Sequence, residues 1–198
     1  MKAVTGTFEA KRSPLSRLLA GDIRALRKAR GLTLSTIADK LGRSVGWLSQ
    51  VERGLSIPTL ADLRAFAETF KVPVSLFLHE PPVVSEEEEG TIVRAAARRP
   101  LGTSESGAVE ELLSPDLGGS FAMSRSEFAA GSELGAAIHR QSEESGLVVS
   151  GRFDIEIDGI WYRLGEGDSF RFKGQPFRWR NPGKNAAIVI WVTSPPVY

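Results

Sequence analysis

TLSTIADKLGRSVGWLSQVERG, residues 33–54, carries two apolar stripes at helical spacing with a glycine between them. The first stripe is Leu34, Ile37, Ala38 and Leu41, which share one face of a helix. Gly42 follows at once and supplies the left-handed residue on which helices commonly end. Ser44 then suits the N-cap of a second helix whose inward face holds Leu48 and Val51. Two short helices around a tight turn form the helix-turn-helix pattern, in which the second helix enters the DNA major groove. The chemistry expected of this stretch is sequence-specific binding of double-stranded DNA.

The flanks extend the helical reading in both directions. Upstream, Ser13-Pro14 is a cap followed by proline at the first helical position. Leu15, Leu18, Leu19, Ile23 and Leu26 form one stripe, and Gly31 closes that helix. Residues 1–13 are polar and aperiodic, as a flexible N-terminal arm would be. Downstream, Thr59 and Asp62 have the spacing of a capping box, and Leu60, Leu63, Phe66, Ala67 and Phe70 face inward. Val72-Pro73 breaks this helix, and residues 74–78 are expected to form a short last one, which makes five helices over 14–80. Pro81-Pro82 and the run Glu86, Glu87, Glu88 and Glu89 mark an acidic linker over 81–90. Solubility and self-repulsion explain that run better than a binding role does.

From Thr91 the period changes to short strands and turns. Asp158-Gly159 between FDIEI and IWYRL is a two-residue hairpin signal. Gly151, Gly165, Gly167, Gly174 and Pro182-Gly183 punctuate runs such as LVVS, SFRF, FRWR and AAIVIWV. Many short strands at even spacing predict an all-β sandwich or barrel over 91–198. The fold class expected is therefore multi-domain, helical first and β second.

The bulk properties narrow the partners. The 198 residues leave room for two small domains. Residues 1–80 hold 13 Lys/Arg against 7 Asp/Glu, a net +6, whereas residues 91–198 are close to neutral. A basic N-terminal third suits contact with phosphates, although a solvated basic face would look the same. The absence of cysteine excludes disulfides, thiolate metal sites and cysteine redox sensing. No apolar run approaches the roughly 18 residues of a membrane helix, and MKAVTGTFEAKRSP lacks a signal-peptide core. A cytoplasmic protein with no membrane partner is the simplest expectation.

Residues 19–79 resemble the phage-repressor-like (Xre, or Cro/C1) helix-turn-helix family, most closely in LSQVERG (48–54) and PTLADLRAFA (58–67). The resemblance implies a five-helix domain that binds a two-fold operator as a homodimer. On the expected recognition helix, Val45, Gly46, Ser49 and Gln50 lie near the outward face and the N-terminal half, from which base edges are reached. Gln50 can pair bidentately with adenine, Val45 can touch a thymine methyl, and Gly46 permits close approach. Thr33, Arg43 and Ser44 lie near helix N-termini, where phosphates are held, and Lys40 and Arg53 are further phosphate candidates. Trp47 either stacks on the sugar-phosphate backbone or packs on the domain. Gln50 and Glu52 can instead bond neighbouring helices, and Arg53 can cap a helix end. Arg24, Arg27, Lys28 and Arg30 read as a general attractant for DNA rather than specific readers.

Residues 121–193 resemble a small cupin barrel, through HRQSEESGLVVSG (139–151) and GEGDSFRFKGQPFRWRNPG (165–183). The order of these segments matches the cupin domains fused to Xre-type repressors. That resemblance implies a transcriptional regulator whose barrel senses a small-molecule effector and mediates dimerisation. Metal-binding cupins use two histidines and a glutamate from the first segment and a histidine from the second. Here His139 and Glu144 match, but Ala137 and Phe177 occupy the other two positions, and His79 lies in the helical half. One imidazole and one carboxylate make a poor divalent site, so no metal and no cofactor is expected. His139, Gln141, Glu144, Phe177 and Trp179 would line an effector pocket; core packing is the plainer reading of the aromatics, and a hydrogen-bonded remnant an equal reading of His139 and Glu144. Arg125, Arg152, Arg178 and Arg180 suit an anionic ligand and the aromatics a cationic one, so the sequence names no ligand. A non-enzymatic regulator is expected. The other two readings are a metal-dependent cupin enzyme with a helix-turn-helix domain, like the mononuclear-iron epoxidases, and a constitutive DNA-binding protein that uses the barrel only to dimerise.

Overall fold

The computed structural model describes residues 14–78, 85, 87–103 and 107–197. The expected arm at 1–13, the Ser13 cap and His79 lie outside those residues. Four α-helices come first: α1 (Pro14–Ala29), α2 (Leu34–Leu41), α3 (Val45–Glu52) and α4 (Leu60–Phe70). The fifth helix expected at 74–78 is a single 3-10 turn, Val74–Phe77. Pro73 precedes it with no side-chain cap, and four residues are too few for an α-helix to repay its nucleation.

The caps at Gly42, Ser44 and Thr59 are as the sequence predicts, and Thr33 adds one at the start of α2. Thr33 and Ser44 accept hydrogen bonds from the Thr36 and Trp47 backbone N–H groups, and Gly42 ends α2 in the left-handed region at φ 62°. The Thr59–Asp62 capping box at α4 is complete. Ile23, Leu26, Ile37, Leu48, Phe66 and Phe70 are fully enclosed at the centre of the helical bundle.

The second half is an antiparallel β-sandwich. Strands β1 (Arg99–Thr103), β2 (Ala108–Leu112), β3 (Ala122–Phe128), β4 (Glu143–Ser150), β7 (Ser169–Lys173) and β9 (Ala187–Ser194) form one sheet, in the order β1-β2-β3-β9-β4-β7. Strands β5 (Phe153–Ile157), β6 (Ile160–Leu164) and β8 (Phe177–Arg180) form the other, in the order β6-β5-β8. Asp158 and Gly159 both have positive φ, 51° and 81°, as a type I′ turn between β5 and β6 requires. On central strand β9, Ala187, Val189, Trp191 and Thr193 are buried at alternate positions, the period of a strand with one face in a core. Gly146 of β4 lets the tip of the Phe170 ring come close to the backbone: a Cβ there would stand 2.3 Å from Phe170 Cζ.

The helical core does not stop at the helices. Leu112, Leu117 and Ala122 of the β half are buried in the same cluster as Leu26, Phe66 and Phe77. Strand β1 also packs on the 3-10 turn. At this seam Arg99 of β1 forms an ion pair with Asp22 of α1, and both side chains are buried.

Candidate DNA-reading surface and sensor cavity

α3 is held by its inward face and its two ends. Leu48 and Val51 are buried, and Ser44 caps the N-terminus. At the C-terminus Glu52 receives two hydrogen bonds from Arg27 of α1, at 2.6 Å from Nε and 2.9 Å from Nη2. The same guanidinium donates to the Leu32 carbonyl at 3.1 Å, so one side chain ties α1 to α3 and to the approach to α2. Arg30 donates to the Phe70 carbonyl at the end of α4. Two of the four residues read as a general DNA attractant are thus engaged inside the domain, while Arg24 and Lys28 are exposed.

The outward face of α3 is open. Val45, Gly46 and Gln50 are exposed and Ser49 is half-buried. Trp47 packs on the domain: its ring stacks on Phe66 with centroids 6.3 Å apart. The Arg43 guanidinium lies 5.0 Å from the Trp47 ring centroid and donates to Asp62 at 2.8 and 2.9 Å. Burial works against the charge on Asp62, but hydrogen bonds from Thr59 and Arg43 outweigh it and hold the carboxyl below its usual range. Arg53 donates to the Ser49 carbonyl at 3.1 Å, the end-capping role. Thr33 also exchanges a hydrogen bond with the Thr36 hydroxyl at 2.8 Å.

The β half holds a cavity of about 140 Å³ that opens against the helical half. Phe128, Phe177, Trp179 and Trp191 form its aromatic wall, with Ile138 and Leu101 beside them. Glu110, Ser124, Arg140 and Thr193 bring polar groups to it. Pro73 and Leu76, from the 3-10 turn and its lead-in, complete the wall on the helical side.

Of the five residues expected to line an effector pocket, Phe177 and Trp179 line this cavity. Glu144 is buried beside the lining residues Trp191 and Thr193 rather than lining the cavity itself. It accepts hydrogen bonds from Trp191 Nε1 at 2.6 Å, Thr193 Oγ1 at 2.8 Å and Ser142 Oγ at 2.6 Å. His139 and Gln141 are exposed and do not line the cavity, which is the correction the structure makes to that set. Adjacent side chains of an extended segment point to opposite sides, so Ile138 and Arg140 enter the cavity and their neighbours do not. Arg140 and Glu110 escaped sequence reasoning because no motif marks them; the parity of residues 138–141 was the only available signal.

The metal implied by the cupin fold does not fit these residues. His139 faces outward, Phe177 and exposed Ala137 have no donor, and Glu144 already accepts three hydrogen bonds. Among the described residues no group of three His, Cys, Asp or Glu side chains is arranged to hold a metal ion.

Comparison with known proteins matches residues 18–79 to a family described as "Helix-turn-helix domain" and residues 124–193 to one described as "Cupin domain". The chain is similar to the HTH-type transcriptional regulator SutR of Escherichia coli (strain K12), 29% identical over 163 residues that cover 80% of this chain and 83% of that protein. Among solved structures it is similar to an HTH_3 family transcriptional regulator from Vibrio cholerae (20% identity, TM-score 0.43, covering 93% of this chain and all of that one). It is also similar to the Cupin_2 domain of an XRE family transcriptional regulator from Enterobacter cloacae (24% identity, TM-score 0.41, covering 46% of this chain and 99% of that one).

Proposed function

We propose that this chain, a transcriptional regulator with an Xre-type helix-turn-helix domain and a cupin domain, reads a two-fold operator through α3 and tunes that reading to a small molecule held in the cupin cavity. One observation carries the reader: α3 is anchored at both ends and along its inner face while Val45, Gly46 and Gln50 remain open. A rigid helix with an accessible outer face is what the major groove accepts. Gln50 is the specificity residue, with Val45 and Ser49 beside it; Thr33, Arg43, Ser44 and the flanking cations hold phosphates. A single helix reads half an operator, so a homodimer with half-sites on the order of 34 Å apart follows from the geometry of B-DNA.

The regulatory half of the proposal is supported by where the cavity wall comes from. Pro73 and Leu76 belong to the segment that follows α4, so a molecule in the cavity touches the helical half directly. A ligand that favours one placement of the helical half over another changes DNA affinity by its differential affinity for the two. No catalytic step is needed for this role.

Gln50→Ala tests the reader. The variant is expected to fold normally and to lose roughly tenfold in affinity for an operator selected with the parent protein, with relaxed preference at one base pair. Unchanged affinity and unchanged base preference, measured by fluorescence anisotropy at fixed salt, would remove Gln50 from the reading face.

A further inference from the structure

Two charged side chains line the cavity without serving each other. Arg140 lies 3.9 Å from Glu144 Oε1 and 5.9 Å from the Phe177 ring centroid, and it donates no hydrogen bond to any described residue. Glu144 has little capacity left for it, because Ser142, Trp191 and Thr193 already donate to its two oxygens. The Glu110 side chain has neither a hydrogen bond nor an ion pair among the described residues, although it faces the same space. Burial pushes its carboxyl up, the Arg140 charge pulls it down, and the Glu144 charge pushes it up again, with a net rise. Glu110 thus has no hydrogen-bonded cation, and the ion pair of Arg140 among the described residues is the long one with Glu144, at 3.9 Å. They sense one another across the cavity but do not form an ion pair.

The rest of the wall is apolar. Phe177, Trp179 and Trp191 are buried on the barrel side, and Leu76 closes the helical side. The volume is close to the roughly 150 Å³ that a benzene-sized guest fills. A small guest with a cation at one point, an anion at another and an apolar body answers each of these features.

We propose that the cavity binds a small zwitterion, an α-amino acid with an apolar side chain, with its carboxylate on Arg140, its ammonium on Glu110 and its side chain against the aromatic wall. The assignment rests on the cavity being the effector site. A carboxylic acid or an amine alone answers one of the two charged groups and leaves the other without a partner.

The test is titration of the full-length protein, followed by the fluorescence of Trp179 and Trp191 and by calorimetry, with operator affinity measured in parallel. The probes are leucine, methionine and valine in both enantiomers, together with 4-methylpentanoate (leucine without its amine) and 3-methylbutylamine (leucine without its carboxylate). At least one amino acid is expected to bind, and both half-ligands to bind about tenfold or more weakly than leucine or the best amino acid. Glu110→Gln should weaken the amino acid by about the same factor while sparing 4-methylpentanoate. The half-ligand comparison needs no variant, so it stands even if Glu110→Gln does not fold. Binding of 4-methylpentanoate as tightly as the best amino acid, or no amino acid binding at all, overturns the zwitterion assignment and leaves the effector reading to another ligand. An operator affinity unchanged when an amino acid saturates the cavity overturns the effector reading instead, while the binding assignment stands.

Discussion

Glu144 is surrounded by donors rather than by water. Trp191 Nε1, Thr193 Oγ1 and Ser142 Oγ all point at its carboxylate, and the side chain is 1% exposed. These bonds give the carboxylate a structural role that needs no metal. Glu144→Ala strips three buried donors of their acceptor and should lower stability by about 3 kcal/mol in urea denaturation. A loss below ~1 kcal/mol would mean that water replaces the carboxylate and that the network is not structural. Gly146, two residues on, makes a different kind of demand. With a Cβ 2.3 Å from the Phe170 ring, Gly146→Ala must displace the aromatic cluster, at about 1–3 kcal/mol of stability. Chemical-denaturation midpoints check this, and a silent Gly146→Ala would show that Phe170 moves aside freely.

At the scale of elements, α3 depends on α1. Arg27 and Glu52 are 25 positions apart in sequence, and their bidentate pair carries side-chain exposures of 15% and 7%. Removing the guanidinium strands the enclosed Glu52 side chain without its partner, so Arg27→Ala should cost about 3 kcal/mol of stability. It should also weaken operator binding although Arg27 touches no DNA in the proposed geometry. Arg27→Ala combined with Glu52→Ala should recover part of the loss, because no stranded charge remains. If the double variant is as unstable as the sum of the two single ones, the pair does not act as a unit. The α4 end obeys the same logic on a smaller scale, where Asp62 serves both the Thr59 capping box and Arg43. Arg43 is therefore partly committed to the domain before any phosphate arrives.

At the scale of the whole molecule, the seam between the halves contains a titratable lock. Burial raises the Asp22 carboxyl to about 6, and the charge and hydrogen bond of Arg99 pull it down without cancelling that effect. In the unfolded chain the same group titrates near ~3.9. Between those values the folded state binds more protons than the unfolded one, so the Asp22 contribution to stability grows as pH falls through about 6 and is lost as pH rises through it. Carboxyls held low, such as Asp62, act in the opposite sense, so the measurement is a difference. Denaturation of the parent protein and of Asp22→Asn over pH 7 to 4 should show a component of the first that rises toward acid and is absent from the second. Parallel profiles would remove the lock.

The helix-turn-helix segment was legible because its information is local. Leu34 to Leu41 and Leu48 with Val51 are stripes that a single helix displays on its own, and Ser44, Thr59 and the Asp158-Gly159 turn act within four residues. The 3-10 turn after Pro73 was overestimated as a helix, since periodicity over four residues does not separate the two. The cavity was only partly legible. Phe177 and Trp179 share a strand face, and period two places them together. His139 and Gln141 were set on the wrong side because parity in an irregular extended segment is decided by how Ile138 pairs with Phe177, not by the residues themselves. Sequence by itself determined most of the element types, the two-part architecture and the candidate reading face, all consequences of short-range spacing. Tertiary structure alone decided that Glu110, Arg140, Trp191 and Leu76 share one cavity and that Arg27 and Asp22 are locks rather than surface charges, because burial and pairing across long sequence distances exist only once the chain has folded.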